Sequence, residues 1–362
     1  MRKFSFLVIL GFLIVSCSPK IDQTGSSSAQ GKKTYKVNTI AFYNLENLFD
    51  TINDPNKLDE KSPIMELDPK VRGEVYWKKN HNMAKVISEI GVEEAKALPA
   101  IVGVAEIENR AVLEDLINDP QLKNGKYGIV HYDSPDARGI DVALLYRKKI
   151  FKVISSAAHE TVIYNLDNLE ERRPTRDVLL VHGELDGDEI YVLVNHWPSR
   201  YGGEKKSRGN REKAAAVNKR LIDSLHNIDP YAKIVIMGDM NDGPTNSSIK
   251  NILEAKGDKN NVRTKEIYNP MEYMQTKQGL GTLGYRDSWD LFDQILVSDG
   301  LLKNKNDGYQ YYKAGIYNPN YLTNPKGRFK GYPFRSYADG QFTGGYSDHF
   351  PVYIFLVKEV KE

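Results

Sequence analysis

The chain has 362 residues, of which 27% are charged and 40% hydrophobic, and its mean hydropathy is −0.51. This composition is typical of a globular enzyme or binding domain. It excludes a polytopic membrane protein, a collagen-like chain and a wholly disordered chain. The formal net charge of +2 excludes a uniformly basic coat for nucleic acid, so anion binding must come from local basic segments.

The N-terminus has the features of an export signal. Arg2 and Lys3 precede a mostly apolar stretch, residues 4–15, which is short for a membrane span of about 20 residues. Ser16 and Cys17, the only cysteine, follow. This arrangement resembles the lipobox of bacterial lipoproteins, which implies cleavage before Cys17 and its acylation. The alternative is an ordinary secretory signal with an incidental cysteine.

The sequence predicts three regions: a signal peptide at 1–16, a lipid anchor and flexible linker at 17–34, and one folded domain at 35–362. The linker is rich in Ser, Gly and Gln and lacks apolar periodicity. Removal of the signal would leave equal numbers of basic and acidic residues. The export signal and Cys17 predict a location in the bacterial cell envelope, with the protein held by lipid at the outer membrane and facing the periplasm or the surface. A monomer is the default expectation, and no protein partner is implied.

Apolar runs and helical periodicity alternate along the domain, and this mixture predicts a layered α/β sandwich. A polar stretch rich in Pro and Asp, residues 50–75, predicts a long loop or insertion. Helical spacing predicts helices at 76–90, 111–118 and 209–226. Short apolar runs predict strands at 37–43, 100–105, 140–146, 178–181, 189–195, 233–237, 291–297 and 351–356.

Polar, acid-rich clusters accompany six of the apolar runs. A single cluster of this kind is typical of caps and turns, but six in one chain favour a shared site held rigid by strands. The clusters occupy residues 42–47, 103–109, 194–200, 236–242, 289–295 and 345–351.

The order of these residues resembles the endonuclease/exonuclease/phosphatase family, which includes deoxyribonuclease I-like enzymes. The resemblance runs from about residue 39 to 357, and 238–241 and 347–349 are its most specific parts. It implies a four-layer α/β sandwich, with two central, mostly antiparallel sheets flanked by helices, and metal-dependent cleavage of a phosphate ester. It is carried by Asn44, Glu106, His196, Asp239, Asn241, Asp293, Ser347, Asp348 and His349.

A phosphate ester hydrolase needs charge neutralisation at the phosphoryl oxygens, and hard oxygen ligands select Mg²⁺, Mn²⁺ or Ca²⁺. Mg²⁺ is the expected cofactor, with Mn²⁺ or Ca²⁺ as alternatives. Glu106 is the first candidate ligand, with Asn44 and Asp348 beside it. For Glu108, an exposed charge is the favoured interpretation.

His349 is the candidate general base, and Asp293 would accept a hydrogen bond from its other ring nitrogen and fix its tautomer. Asp239 is an alternative base, or orients the attacking water. Asn241 can donate from its amide to a phosphoryl oxygen or to that water.

His196 would donate to a non-bridging oxygen or to the leaving group. Asp141 is the candidate partner of its imidazole.

Three basic segments are candidates for substrate contact. Residues 198–213 supply Arg200, Lys205 and Lys206, and Arg176 follows two further arginines near a predicted strand end. Residues 322–337 interleave basic and aromatic residues, which suits a polyanion with flat bases.

The stretch 195–200 and the residues after it resemble secreted bacterial nucleases of the family, so the favoured function is an envelope-anchored nuclease acting on DNA or RNA. One alternative is a phosphatase or phosphodiesterase acting on lipid headgroups, inositol phosphates or phosphorylated metabolites. Another is a non-catalytic binding lipoprotein of the same fold.

Overall fold

The computed structural model describes residues 33–302 and 308–360. The residues from Thr34 onward form one compact unit. The predicted export signal and the predicted acylation site Cys17 lie outside the described residues, as does nearly all of the linker. No helix in the two described ranges is long and apolar enough to cross a membrane.

The compact unit alternates strands and helices. The α-helices are α1 (Pro69–Glu89), α2 (Val92–Ala95), α3 (Arg110–Asn118), α4 (Glu204–Ile228) and α5 (Met271–Gln278). The strands are β1 (Thr34–Leu48), β2 (Ile101–Ile107), β3 (Tyr127–His131), β4 (Asp141–Arg147), β5 (Phe151–His159), β6 (Ile163–Tyr164), β7 (Arg172–Arg173), β8 (Val178–Leu185), β9 (Asp188–His196), β10 (Ile234–Asp239), β11 (Ile267–Tyr268), β12 (Leu283–Tyr285), β13 (Ser288–Asp290), β14 (Asp293–Ser298), β15 (Gln310–Ile316), β16 (Tyr337–Ala338), β17 (Gln341–Phe342) and β18 (Val352–Val360).

Two six-stranded sheets form the centre of the unit. The first has the order β15-β18-β1-β2-β4-β3, and the second has the order β11-β14-β10-β9-β8-β5. Each is antiparallel except for one parallel pair at its centre, β1 with β2 and β9 with β10. The expected pair of mostly antiparallel sheets is therefore confirmed.

The central strands read as continuous apolar runs because both of their faces are buried. In β1, Ile40 and Phe42 pack between the sheets, whereas Ala41 and Tyr43 face the helical side. Apolar residues of α1 and α3 cover the outer face of the first sheet, and those of α4 cover the second. The order of layers is thus helix, sheet, sheet, helix, as the resemblance implied.

Helix boundaries differ from the sequence-based expectation in two places. Helix α1 begins at Pro69, inside the segment predicted as a loop, because the Asp68 side chain accepts a hydrogen bond from the Lys70 amide and Pro69 occupies the first turn. Helix α4 begins at Glu204, five residues before the predicted start, and includes the charged first turns that lack an apolar stripe.

Several strands had no counterpart among the predicted runs. β5 and β15 lie at sheet edges, and Phe151 is the only buried residue in the two strands, so their sequences lack the continuous apolar character of central strands.

Gly103 of β2 packs against Met237 of the second sheet without room for a side chain. A Cβ atom at this position would lie 2.4 Å from Met237 Sδ and 3.2 Å from Phe42 Cδ2. By contrast, a Cβ atom at Gly73 in α1 would meet no heavy atom within 4 Å. The interior is therefore too tight for a side chain at position 103, while the helix surface has room for one.

We expect Gly103→Ala to lower the free energy of unfolding by about 1–3 kcal/mol through overpacking. Gly73→Ala makes the same chemical change in an exposed helix and should raise the free energy by about 0.5–1 kcal/mol. Urea unfolding of the two variants measures both effects. Equal stability of the two variants would contradict the tight packing between the sheets.

Candidate active site

Six strands bring polar side chains to one edge of the two sheets. The parallel pairs place the carboxyl ends of β1, β2, β9 and β10 at this edge, and β14 and β18 begin there because they run antiparallel. Asp239 is opposite His196 in one pairing and Asp293 in the other. The sheet topology therefore brings together all eight residues predicted for the catalytic and metal sites.

The backbone takes left-handed conformations where the strands end. Glu46, Asn47, Glu106 and Asn241 have φ values of 47°, 54°, 59° and 48°. The pairing register also shifts between Asn44 and Leu48 and between Ala105 and Ile107. Such conformations are uncommon for residues other than glycine and bulges redirect side chains, so these turns aim polar groups into the site.

His349 and Asp293 form a buried hydrogen-bonded pair. His349 Nδ1 lies 2.7 Å from Asp293 Oδ2, and the Ser347 hydroxyl accepts from the His349 amide at 3.1 Å. Burial lowers the pKa of His349, but the charge and hydrogen bond of Asp293, with the charge of Asp239, outweigh it and raise the pKa well above its ordinary value. The imidazole is thus oriented by one carboxylate and holds its proton strongly.

Asp239 lies in the middle of the site. Its Oδ2 accepts from Asn44 Nδ2 at 3.2 Å, its Oδ1 accepts from the Asn241 amide at 2.9 Å, and His349 Nε2 is 3.9 Å away. Burial and the negative charge of Asp293 raise the pKa of Asp239 to about 7, against the opposing charge of His349. Asp239 and His349 are therefore neighbouring proton-exchanging groups.

His196 lies across the site from His349. Its Nε2 is 3.7 Å from both Glu106 Oε1 and Asp239 Oδ2. Burial, together with the charges of nearby arginines, holds the pKa of His196 well below its ordinary value, so the imidazole is neutral. Its Nδ1 is buried without a hydrogen-bond partner among the described residues.

The proposed pairing of His196 with Asp141 is wrong. Asp141 Oδ2 lies 2.9 Å from His131 Nε2, and its Oδ1 accepts from the Ser134 amide at 2.8 Å. Both carboxylate oxygens are therefore engaged at the start of β4.

The Glu106 carboxylate is largely buried and has no Lys or Arg partner among the described residues. Its side chain is 16% exposed, Oε2 accepts from the Asn47 amide at 3.1 Å, and no described Lys or Arg forms an ion pair with it. Asp348 is 29% exposed and is 3.3 Å from Arg335 Nη2. Half-buried carboxylates of this kind fit a hard divalent ion.

Both polar atoms of the side chain of Asn44, the third candidate ligand, are in hydrogen bonds. Its Nδ2 donates to Asp239 Oδ2, and its Oδ1 accepts from the Glu46 amide at 2.9 Å. Asp239, Asp293 and His349 also lie close enough to hold an ion. However, the hydrogen bond between His349 and Asp293 explains that proximity. Glu106 and Asp348 are the better candidates for the metal.

Glu46, Lys79 and Arg335 also belong to the site. Glu46 lies in the polar cluster at residues 42–47 and Arg335 in the basic segment at 322–337, but the sequence did not single out either of them, and it gave no indication of Lys79. Glu46 accepts from the Ser336 amide at 2.6 Å and from Arg335 Nε at 3.2 Å, and burial raises its pKa to about 7. Lys79 Nζ donates to the Glu46 carbonyl at 2.5 Å, and burial lowers its pKa to about 8. Lys79 lies one turn before buried Met83 in α1, a helical spacing that signals burial.

The predicted substrate contacts are distributed differently from the expectation. Arg176 is 7% exposed, and its guanidinium donates to the carbonyls of His196 and Trp197 and to Asp136. It supports the His196 loop from behind, so the prediction that it binds a phosphate is not supported by its position.

Arg200 is 28% exposed and donates to the Asn241 carbonyl at 3.0 Å, which braces the Asn241 turn. Lys205 is exposed on the first turn of α4, and Lys206 pairs with Asp167 at 2.6 Å. Arg211, in the same basic segment, is fully buried and 2.7 Å from Asp242. Several basic side chains of this segment thus form ion pairs within the protein and do not form an open basic surface.

The fold and the site define a hydrolase that acts on phosphate esters. The chain belongs to the Endonuclease/Exonuclease/phosphatase family, whose profile matches residues 39–358. Enzymes of this family depend on divalent metals, and the chain has the acidic and imidazole groups to bind one. No curated protein matches the sequence significantly.

Solved structures show the same fold at low identity. A family protein from Bacteroides thetaiotaomicron is 17% identical, with a TM-score of 0.52 over 91% of this chain and 100% of that one. A mannosyl-6-phosphatase from the same species is 17% identical, with a TM-score of 0.50 over 88% of this chain and 99% of that one. D. rerio TDP2 complexed with a single-strand DNA product is 13% identical, with a TM-score of 0.50 over 88% and 98%.

We expect His349→Ala to lower kcat by roughly 10²–10⁴-fold, because it removes an oriented proton-transfer group. His81→Ala removes an exposed histidine of α1 that pairs with Asp119, and should leave kcat unchanged. Steady-state hydrolysis of a chromogenic phosphate diester, with circular dichroism to verify folding, makes the comparison. A His349→Ala enzyme within a few-fold of wild type would remove His349 from the chemistry.

Proposed function

We propose that the chain is a divalent-metal-dependent nuclease that hydrolyses phosphodiester bonds of DNA or RNA, with Mg²⁺ or Mn²⁺ as cofactor. The observation that carries this proposal is an aromatic and basic surface that packs on Phe350, the buried residue that follows His349 in the chain. A phosphatase for small monoesters would have no use for an extended platform next to its reacting groups.

Four aromatic rings form a row that starts one residue after His349. Trp289 stacks on Phe350 with ring centroids 5.9 Å apart and an interplanar angle of 20°. Tyr332 is 5.5 Å from Trp289, and Phe329 is 5.9 Å from Tyr332. We call these four residues the aromatic row. Trp289 and Phe329 are 37% and 55% exposed, so the row presents ring surface to solvent.

The aromatic row is held rigidly to the catalytic pair. The Phe350 amide donates to the Thr282 carbonyl at 2.9 Å, and the Thr282 hydroxyl accepts from the Asp293 amide at 3.3 Å. Tyr332 packs so closely on Gly284 of β12 that a Cβ atom there would lie 2.6 Å from the ring. Rings fixed in this way lose little conformational entropy when they bind a flat group.

Exposed cations lie near one end of the aromatic row: the Arg328 guanidinium is 5.7 Å from the Phe329 ring centroid, and Lys330 follows Phe329 in the chain. Arg286, Lys326, Arg328 and Lys330 are exposed, and none of them forms an ion pair with a described residue. Stacked bases gain about 1–3 kcal/mol each on aromatic side chains, while nearby cations attract the phosphate backbone. The combination fits a single-stranded or frayed nucleic acid better than a small phosphate ester.

Different residues of the site are suited to different parts of phosphodiester hydrolysis. A divalent ion at Glu106 and Asp348 would neutralise charge on the phosphoryl oxygens. Asp239 and His349 are placed to move the proton of the attacking water, with Asp293 orienting the imidazole. Neutral His196 is placed to hydrogen-bond to a phosphoryl oxygen or to the leaving group.

Incubation of the full chain with plasmid DNA, RNA, sphingomyelin and a phosphorylated sugar tests the proposal. Each substrate is combined with Mg²⁺, Mn²⁺ or EDTA. We expect metal-dependent cleavage of nucleic acid that His349→Ala abolishes. Hydrolysis of the lipid or the sugar phosphate, with DNA and RNA intact, would contradict the nuclease proposal while leaving the hydrolase class in place.

We expect Trp289→Ala to raise KM for single-stranded DNA by about tenfold, which corresponds to the loss of one stacking contact. Hydrolysis of the small chromogenic diester should change little, because that substrate does not reach the row. Trp77→Ala is the matched control, since Trp77 is 58% exposed on α1. The same KM in both variants would place the DNA elsewhere.

We also propose that Cys17 carries the lipid anchor expected from the sequence. In bacterial cells the wild-type chain should fractionate with membranes and incorporate labelled palmitate. Cys17→Ala should abolish both properties. Membrane fractionation and labelling unchanged by Cys17→Ala would refute the anchor.

A further inference from the structure

A cavity of about 240 Å³ lies beyond the carboxyl ends of β1 and β2, separate from the candidate catalytic metal ligands. Three segments form its wall: residues 50–59 after β1, residues 108–109 after β2, and residues 133–141 between β3 and β4. Its lining contains Asp50, Asp54, Lys57, Asp59, Glu108, Asn109, Asp133 and Asp141, and does not include Glu106, Asn44 or Asp348.

The wall of this cavity has a large excess of negative charge. Six carboxylates face one ammonium group, that of Lys57. Lys57 Nζ donates to the Ser134 carbonyl at 3.2 Å and forms no ion pair with a described carboxylate. Carboxylates this close together repel one another unless a cation or protons neutralise them.

Asp59 provides independent evidence for a cation site at this wall. Its side chain is 1% exposed, and its Oδ2 accepts from the Asp54 amide at 2.7 Å. Its Oδ1 is buried and has no hydrogen-bond partner within residues 33–302 and 308–360. A buried carboxylate oxygen without a donor is costly, and a bound cation would satisfy it.

Two further carboxylates of the lining, Asp133 and Asp141, belong to a second group of potential ligands, whose third member, His131, does not line the cavity. His131, Asp133 and Asp141 each offer one atom within 4.8 Å of the others, a grouping that can hold an ion. Asp133 is 83% exposed, so its carboxylate is accessible from solvent, whereas Asp141 is fixed by His131 at 2.9 Å. The lining of the cavity thus has one buried carboxylate, Asp59, and one solvent-accessible carboxylate, Asp133.

We propose that this cavity binds a calcium ion. Oxygen donors dominate the wall, and they come from three chain segments that need not meet ideal octahedral geometry, which favours Ca²⁺ over Mg²⁺. The volume admits an ion with several water molecules. Bound calcium would tie the loop after β1 to Asn109, the N-cap of α3, and to the β3–β4 loop.

Calcium binding is measured on the full chain carrying Glu106→Gln, which disables the candidate catalytic ligand so that the second site is seen alone. Isothermal titration with CaCl₂ should give one ion per chain, and 10 mM Ca²⁺ should raise the Tm by about 5 °C. Adding Asp59→Asn should weaken the affinity at least about tenfold. Adding Glu60→Gln, which removes the exposed neighbouring carboxylate outside the cavity, should leave it unchanged.

Asp133→Asn is a second cavity variant, needed because Asp59→Asn could impair folding. Asp133 is exposed, so its substitution should leave the fold intact and still weaken calcium binding. The proposal is overturned if the Glu106→Gln chain binds no calcium, or if both cavity variants bind it as well as Glu60→Gln does. Equal stabilisation by Mg²⁺ and Ca²⁺ would overturn the choice of ion. Neither result bears on the nuclease proposal, which rests on other residues.

Discussion

The burial of carboxylates at the ends of central strands is the constraint on which the rest of the structure depends. Asp239 and Asp293 are almost inaccessible to solvent, and an isolated carboxylate in that position would be strongly destabilising. His349 and the Asn44 amide supply the compensating contacts, and each comes from a distant part of the chain. The two sheets must therefore pack in one register for any of these contacts to form.

The central architecture could be predicted from the sequence because its strands are buried on both faces. Runs such as residues 100–105 and 233–237 carry an unambiguous apolar signal, and polar clusters mark where they end. The edge strands β5 and β15 could not be predicted in the same way, because only one of their residues, Phe151, is buried. The start of α1 was missed because its first turns are polar, although Asp68 and Pro69 form an ordinary helix start.

Residue types and order predicted the catalytic centre, but not how each arginine and lysine is used. In the sequence, Arg176 and Arg211 cannot be distinguished from arginines that bind phosphate. Only their burial in the structure shows that they stabilise loops. The ion pair of Glu46, which lies in the polar cluster at residues 42–47, and the position of Lys79 could not be predicted for the converse reason. A single buried charge leaves no periodic pattern in a sequence, and its partner, Arg335, is nearly 300 residues away from Glu46 in the chain.

The pairing of β1 with β18 has a consequence for the order in which the protein can become active. Thr34 pairs with Val360, so the first and last strands of the domain are neighbours in the same sheet. Asn44 on β1 and His349 before β18 meet in the site only when this pair has formed. Contacts of such large sequence separation form slowly. An emerging chain is consequently inert until its final strand is available, which delays hydrolytic activity until synthesis of the domain is finished.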